Sequence, residues 1–138
     1  MKKSFITKMT LLFALTALIA CTKQNTHADP TKMTAREAMG LVANDFGMIV
    51  DVREKEEIDE EGMAAPAKWL ALSAIEKDAG ALGKLVEGVS KEKQIVFYCV
   101  SGSRAEMAAK KLASQGYKTG YFTGFYEWKN AGLPIKKP

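Results

Sequence analysis

A lone cysteine at the end of an apolar run, followed by small polar residues and an arginine, is the part of this chain best suited to chemistry. The run is Gln94-Ile95-Val96-Phe97-Tyr98, and the residues after it are Cys99-Val100-Ser101-Gly102-Ser103-Arg104. A strand that ends, turns over a few residues and starts a helix leaves backbone N–H groups pointing inward as an anion-binding nest. The positive end of the following helix adds to that field. Gly102 supplies backbone angles that a side chain forbids. An ordinary cysteine, with a pKa near 8.5, is only about 3% ionised at pH 7. Lowering that pKa by about two units, worth roughly 2.7 kcal/mol, makes it mostly thiolate. The same cradle suits a persulfide, whose outer sulfur is also anionic. The pattern predicts a solvent-open Cys99 nucleophile, with Val100, Ser101, Gly102, Ser103 and Arg104 holding what it attacks. The competing reading is an inert thiol packed as a small hydrophobe, with Arg104 merely a surface residue at a helix start.

The elements that must position this loop can be read from periodicity and caps. Thr34-Ala35-Arg36-Glu37 has capping-box spacing and predicts a helix over Ala35 to Ala43. Met48-Ile49-Val50-Asp51-Val52 is a β-branched run with the character of a buried strand. Glu54–Glu61 is acidic and predicts a short surface helix, Gly62–Ala67 a loop, and Trp69–Leu72 a short strand. Ser73-Ala74-Ile75-Glu76 repeats the capping-box spacing, for a helical stretch to about Glu87 that breaks at Gly80 or Gly83. Beyond the loop, Arg104–Gln115 predicts a helix closed by Gly116. Tyr117–Phe122 predicts a strand, and Phe125–Ala131 a last helix closed by Gly132 and Pro134. Short apolar strands alternating with helices predict an α/β domain, its small, mostly parallel β-sheet covered by helices on both faces. In such sheets ligands bind beyond the carboxyl ends of strands, where Cys99 falls.

Four separated motifs in order resemble the rhodanese family over about residues 33–136. Cys99, Gly102, Arg104 and Ala105 align with its C-x-x-G-x-R-[SA] active loop, and Ile49-Val50-Asp51-Val52-Arg53-Glu54 with its first strand and D-V-R-E signature. Gly116-Tyr117 matches the end of the active-site helix, and Gly124-x-x-x-Trp128-x-x-x-Gly132-Leu133-Pro134 the closing segment. The resemblance implies a rhodanese-like fold and a sulfurtransferase. In that chemistry the Cys99 thiolate takes sulfane sulfur from a donor such as thiosulfate or a persulfide. The Cys99 persulfide then passes it to a thiol or cyanide. Asp51 and Arg53 are expected to support the site structurally. Two segments depart from the family: Gly62-Met63-Ala64-Ala65-Pro66-Ala67 lacks the histidine of the usual G-H-I-P-G-A, and Thr123-Gly124 replaces a paired glycine. Arg104 is the only charged member of the loop, which predicts weak turnover of thiosulfate.

Two other classes compete. A phosphatase or arsenate reductase on this fold needs five residues between Cys and Arg to hold a tetrahedral oxyanion, whereas four separate Cys99 from Arg104. A non-catalytic or redox-sensing module at the cell envelope, binding an unnamed protein partner, would carry the same loop. His27, the only histidine, lies far upstream, which leaves no Cys–His dyad in the folded part. No metal-ligand spacing occurs, and no cofactor is expected.

The N-terminus has its own chemistry. Lys2, Lys3 and Lys8 precede or start an apolar stretch, Met9–Ala20, too short for a comfortable membrane span. It ends in Leu18-Ile19-Ala20-Cys21, which resembles the lipobox of bacterial lipoproteins. That resemblance implies cleavage after residue 20 and lipidation of Cys21, followed by a flexible polar tether over residues 21–31 and the domain over 32–138. Thr22 in place of an aspartate favours the outer over the inner membrane, with the domain facing the periplasm. The 20 basic and 16 acidic residues become 17 and 16 once the three lysines of residues 1–20 are gone, so charge gives no support for nucleic-acid binding. With Cys21 lipidated, Cys99 is the one free thiol, and no intramolecular disulfide can form.

Overall fold

The computed structural model describes residues 28–137. The export signal, Cys21 and its lipidation, His27 and most of the expected tether lie outside the described residues. Five strands form a parallel sheet in the order β1-β6-β5-β2-β4: β1 Thr31–Lys32, β6 Lys118–Gly124, β5 Gln94–Cys99, β2 Gly47–Asp51 and β4 Lys68–Trp69. A separate antiparallel pair joins β3, Met63–Ala64, to β7, Ile135–Lys136. The expected α/β architecture is therefore present, and strand alternation explains its layers. Along β5, Ile95, Phe97 and Cys99 enter one core with Val50, Val52, Leu72, Ile75 and Leu112. Val96 and Tyr98 point the other way, to a second core with Ile49, Ile58, Phe122, Phe125 and Trp128. Helices α3 (Leu72–Lys77), α4 (Ala81–Leu85) and α5 (Ser103–Ala113) supply the first core, and α1 (Ala35–Ala43), α2 (Lys55–Glu61) and α6 (Phe125–Asn130) the second.

The predicted α1 has its expected bounds, and Thr34 and Glu37 make the reciprocal bonds of a capping box. Elsewhere the structure corrects details. The segment expected as a strand over Trp69–Leu72 pairs only at Lys68–Trp69, and Leu72 already starts α3. Ser73 does not cap that helix; Ala71 holds the cap position, while the Ser73 hydroxyl donates to Glu54 Oε2 at 2.7 Å. The helix breaks at Asp78–Gly80, where Asp78 accepts the Gly80 N–H, and Gly83 stays inside α4. The expected loop Gly62–Ala67 contains β3. Thr31, assigned to the tether, pairs with Gly120 and begins the sheet.

Candidate active site

Cys99 ends β5 opposite Gly124, across an irregularity that sets Phe97 against Tyr121 but Cys99 against Gly124. The two backbones touch there. A Cβ on Gly124 would lie 2.3 Å from the Val100 carbonyl oxygen and 2.7 Å from that of Cys99, so only glycine fits. The chain then turns through Val100 and Ser101 into Gly102, which has φ +93° and caps α5. That left-handed residue aims its N–H at Cys99 Sγ, 3.1 Å away, and its carbonyl accepts the Glu106 N–H at 2.8 Å. Of the five loop amides expected around the sulfur, Gly102's is the one hydrogen-bonded to it among the described residues.

The expectation of a solvent-open sulfur is not met. Cys99 is 0% exposed, packed against the α3–α5 core, whereas Val100, Ser101 and Ser103 are exposed and Gly102 is buried. The period-two alternation of β5 explains this: it turns Cys99 inward with Ile95 and Phe97, and the loop covers it.

Arg104 is also differently employed than expected. Its two terminal nitrogens each donate to a Glu57 carboxylate oxygen at 2.7 Å, joining α5 to α2. Glu57 additionally accepts the Glu54 N–H at 2.9 Å. The Arg104 hydrogen bonds, against the opposing effect of burial, lower the Glu57 carboxyl to about 2. Reciprocally, Glu57 holds the guanidinium above its usual range, with a smaller contribution from the charge that Cys99 can carry. Glu57 was missed in the sequence reading. Its three-residue spacing from Glu54 marks a helix start, but nothing in the sequence pairs it with a residue 47 positions away.

Asp51 and Arg53 are both 0% exposed. Arg53 donates to both Asp51 oxygens, to Glu61 at 2.8 Å and to the Gly62 carbonyl at 2.6 Å. Its guanidinium lies 4.2 Å from the centre of the Phe125 ring. Burial, the largest single influence, opposes its charge, yet the Asp51 bonds and charge together with Tyr98 and Glu61 outweigh it and raise its pKa. Burial, then Asp51, pushes the Tyr98 phenol upward, and its oxygen accepts the Ala64 N–H at 3.0 Å. Trp69 donates its indole N–H to the Arg53 carbonyl, and Tyr126 its hydroxyl to Glu61. Both residues were outside the expected site.

A family model described as a rhodanese-like domain matches residues 34–131, which contain all of these groups. The chain belongs to the rhodanese-like family. Within it, the chain is 37% identical over 71 residues to "Putative sulfurtransferase YtwF" of Bacillus subtilis, an alignment covering 51% of this chain and 61% of that protein. Among solved structures, the polysulfide-sulfur transferase homodimer of Wolinella succinogenes is similar at 26% identity and TM-score 0.62, with 81% of this chain and 82% of that one covered. A further neighbour, from Rhodopseudomonas palustris and described as "Protein of Unknown Function RPA3614, Possible Tyrosine Phosphatase", gives 26% identity and TM-score 0.63 over 78% and 85% of the two chains.

Proposed function

We propose that this rhodanese-like chain is a sulfurtransferase that carries sulfane sulfur on Cys99. The observation that carries the reading is the Gly102 N–H on Cys99 Sγ at 3.1 Å, at the junction of β5 and α5 in the family's own loop. In the proposed cycle the Cys99 thiolate attacks the outer sulfur of a donor. A new S–S bond forms, the donor's S–S bond breaks, and its electron pair leaves with the donor remnant. The outer sulfur of the persulfide, now anionic, stays by the loop amides until a thiol or cyanide attacks it and Cys99 departs as thiolate. Because the sulfur is buried, it must be uncovered before either attack, making opening a step of the cycle. Mass spectrometry after incubation with sulfane donors tests this: the wild type is expected to gain one sulfur atom on Cys99, and Cys99→Ser none. A wild type that never gains it overturns the reading.

The buried thiol specifically favours one rival, a rhodanese-like module that binds a partner without turnover. Partner capture that survives Cys99→Ser, together with absence of the sulfur adduct, supports that module. Phosphatase chemistry is disfavoured by the four-residue spacing and by the engagement of Arg104 with Glu57. Aryl phosphate hydrolysis dependent on Cys99 would revive it.

For the N-terminus we propose export and lipidation at Cys21, with the domain held at a bacterial membrane facing the periplasm. Support comes from the residues Lys2 to Cys21 themselves. Metabolic labelling with a radioactive fatty acid is expected to mark the wild type and not Cys21→Ser.

A further inference from the structure

Resting on the sulfur-transfer reading, we infer that Glu57 sets the donor class. By occupying Arg104 it closes the site to oxyanion donors such as thiosulfate and leaves it to sulfane sulfur carried on a thiol. Arg104 is the loop's only cation, the one full positive charge there that can offset a dianion approaching Cys99. One N–H from each of its terminal nitrogens goes to Glu57, in the two-pronged geometry that guanidinium and carboxylate share, and the carboxylate balances its charge. Glu57 cannot swing aside without also releasing the Glu54 N–H and uncapping α2. The pair is therefore preset from the α2 side and presents no net charge to a ligand.

The segment that supplies Glu57 is acidic. The helix start and helix that carry Glu57 also carry Glu54, Glu56, Asp59, Glu60 and Glu61, with Lys55 as their one cation and that lysine paired to Asp59. Arg53, the other nearby guanidinium, is buried and committed to Asp51 and Glu61. A thiosulfate dianion thus approaches beside an acidic segment, with the charges of both neighbouring guanidiniums already balanced by carboxylates. A persulfide carries one negative charge at most, and none as R–S–SH, so it meets less repulsion from that segment. The Cys99 thiolate attacks its terminal sulfur and the R–S to sulfur bond breaks. The pair leaves on R–S⁻, and the proton passes from the new persulfide to that thiolate, giving R–SH and Cys99–S–S⁻. No oxidant or reductant is required.

The test is sulfur transfer to cyanide by the full chain, read as thiocyanate, from thiosulfate and from cysteamine persulfide, whose ammonium offsets its persulfide charge. The wild type is expected to prefer the persulfide in kcat/KM, and its thiosulfate rate to rise with added salt as the repulsion is screened. Glu57→Gln removes the charge and is expected to shift the donor ratio towards thiosulfate by about tenfold, mainly through a lower thiosulfate KM. Because Glu57 also caps α2, the double variant Glu56→Gln/Glu60→Gln provides a second reading that leaves both bonds to Arg104 in place. It is expected to move the ratio the same way by about two- to threefold. A ratio unchanged in both variants, or a wild type that prefers thiosulfate, overturns the inference while sulfur transfer stands. A wild type that draws sulfur from neither donor removes the sulfur-transfer reading and this inference together.

Discussion

At Gly102 the backbone has φ +93°, and a Cβ added there would meet Thr123 no closer than 3.6 Å. Space is therefore adequate, and the objection to a side chain is conformational. Placing alanine in the left-handed region costs about 1–2 kcal/mol, and relaxing that strain turns the N–H away from Sγ. Gly102→Ala is expected to lower the thermal midpoint modestly and to slow formation of the Cys99 persulfide by about tenfold, the latter because one charge-directed hydrogen bond is lost. Stopped incubations analysed by mass give the rate, and a thermal melt gives the midpoint. Persulfide formation at the wild-type rate would detach this N–H from the chemistry.

Between elements, the clamp of α2 on α5 carries a pH dependence whose sign is fixed. The Glu57 carboxyl is held at about 2 against an ordinary 4.5. A depressed carboxyl pKa contributes stability that is full above the unfolded value and fades as pH falls towards the folded one. The pair is partly solvent-exposed, so its worth is only about 1 kcal/mol. Melting wild type and Glu57→Gln across pH is expected to show a gap above pH 4.5 that closes on descending towards pH 2. A gap independent of pH would mean that shape, not charge, holds the clamp. Elements of this kind mark the boundary of what the sequence discloses. The α1 helix was legible because Thr34 and Glu37 satisfy each other within three residues, and β5 with its Cys99 terminus because the apolar run is local. Nothing local announces β1, β3 or β7, each two residues long and defined by a distant partner. The same limit hid the Arg104–Glu57 pair. The burial of Cys99 was readable in principle, since it shares the parity of Ile95 and Phe97, but the loop's electrostatic pattern suggested exposure instead.

Across the molecule, Arg53 is the joint where β2, β4, α2 and the aromatic rings of the second core converge. Its guanidinium reaches back to Asp51 at the end of β2, on to Glu61 and Gly62 at the end of α2, and over the face of Phe125 at the start of α6. Its carbonyl takes the Trp69 indole N–H from β4. Such a group is held because each side-chain nitrogen has an acceptor, not because a buried ion pair is intrinsically stabilising; removal of one partner strands the other. Arg53→Met keeps the volume and apolar stem but leaves Asp51 buried without its counter-charge. A loss of about 3–5 kcal/mol is expected, seen as a shifted denaturant midpoint. The double variant Asp51→Asn/Arg53→Met removes both charges and should recover part of that loss. If the single variant proves as stable as wild type, Asp51 has another partner and Arg53 is not the joint. If the double variant is no better than the single, the cost lies in the bonds to Glu61 and Gly62 rather than in a stranded carboxylate.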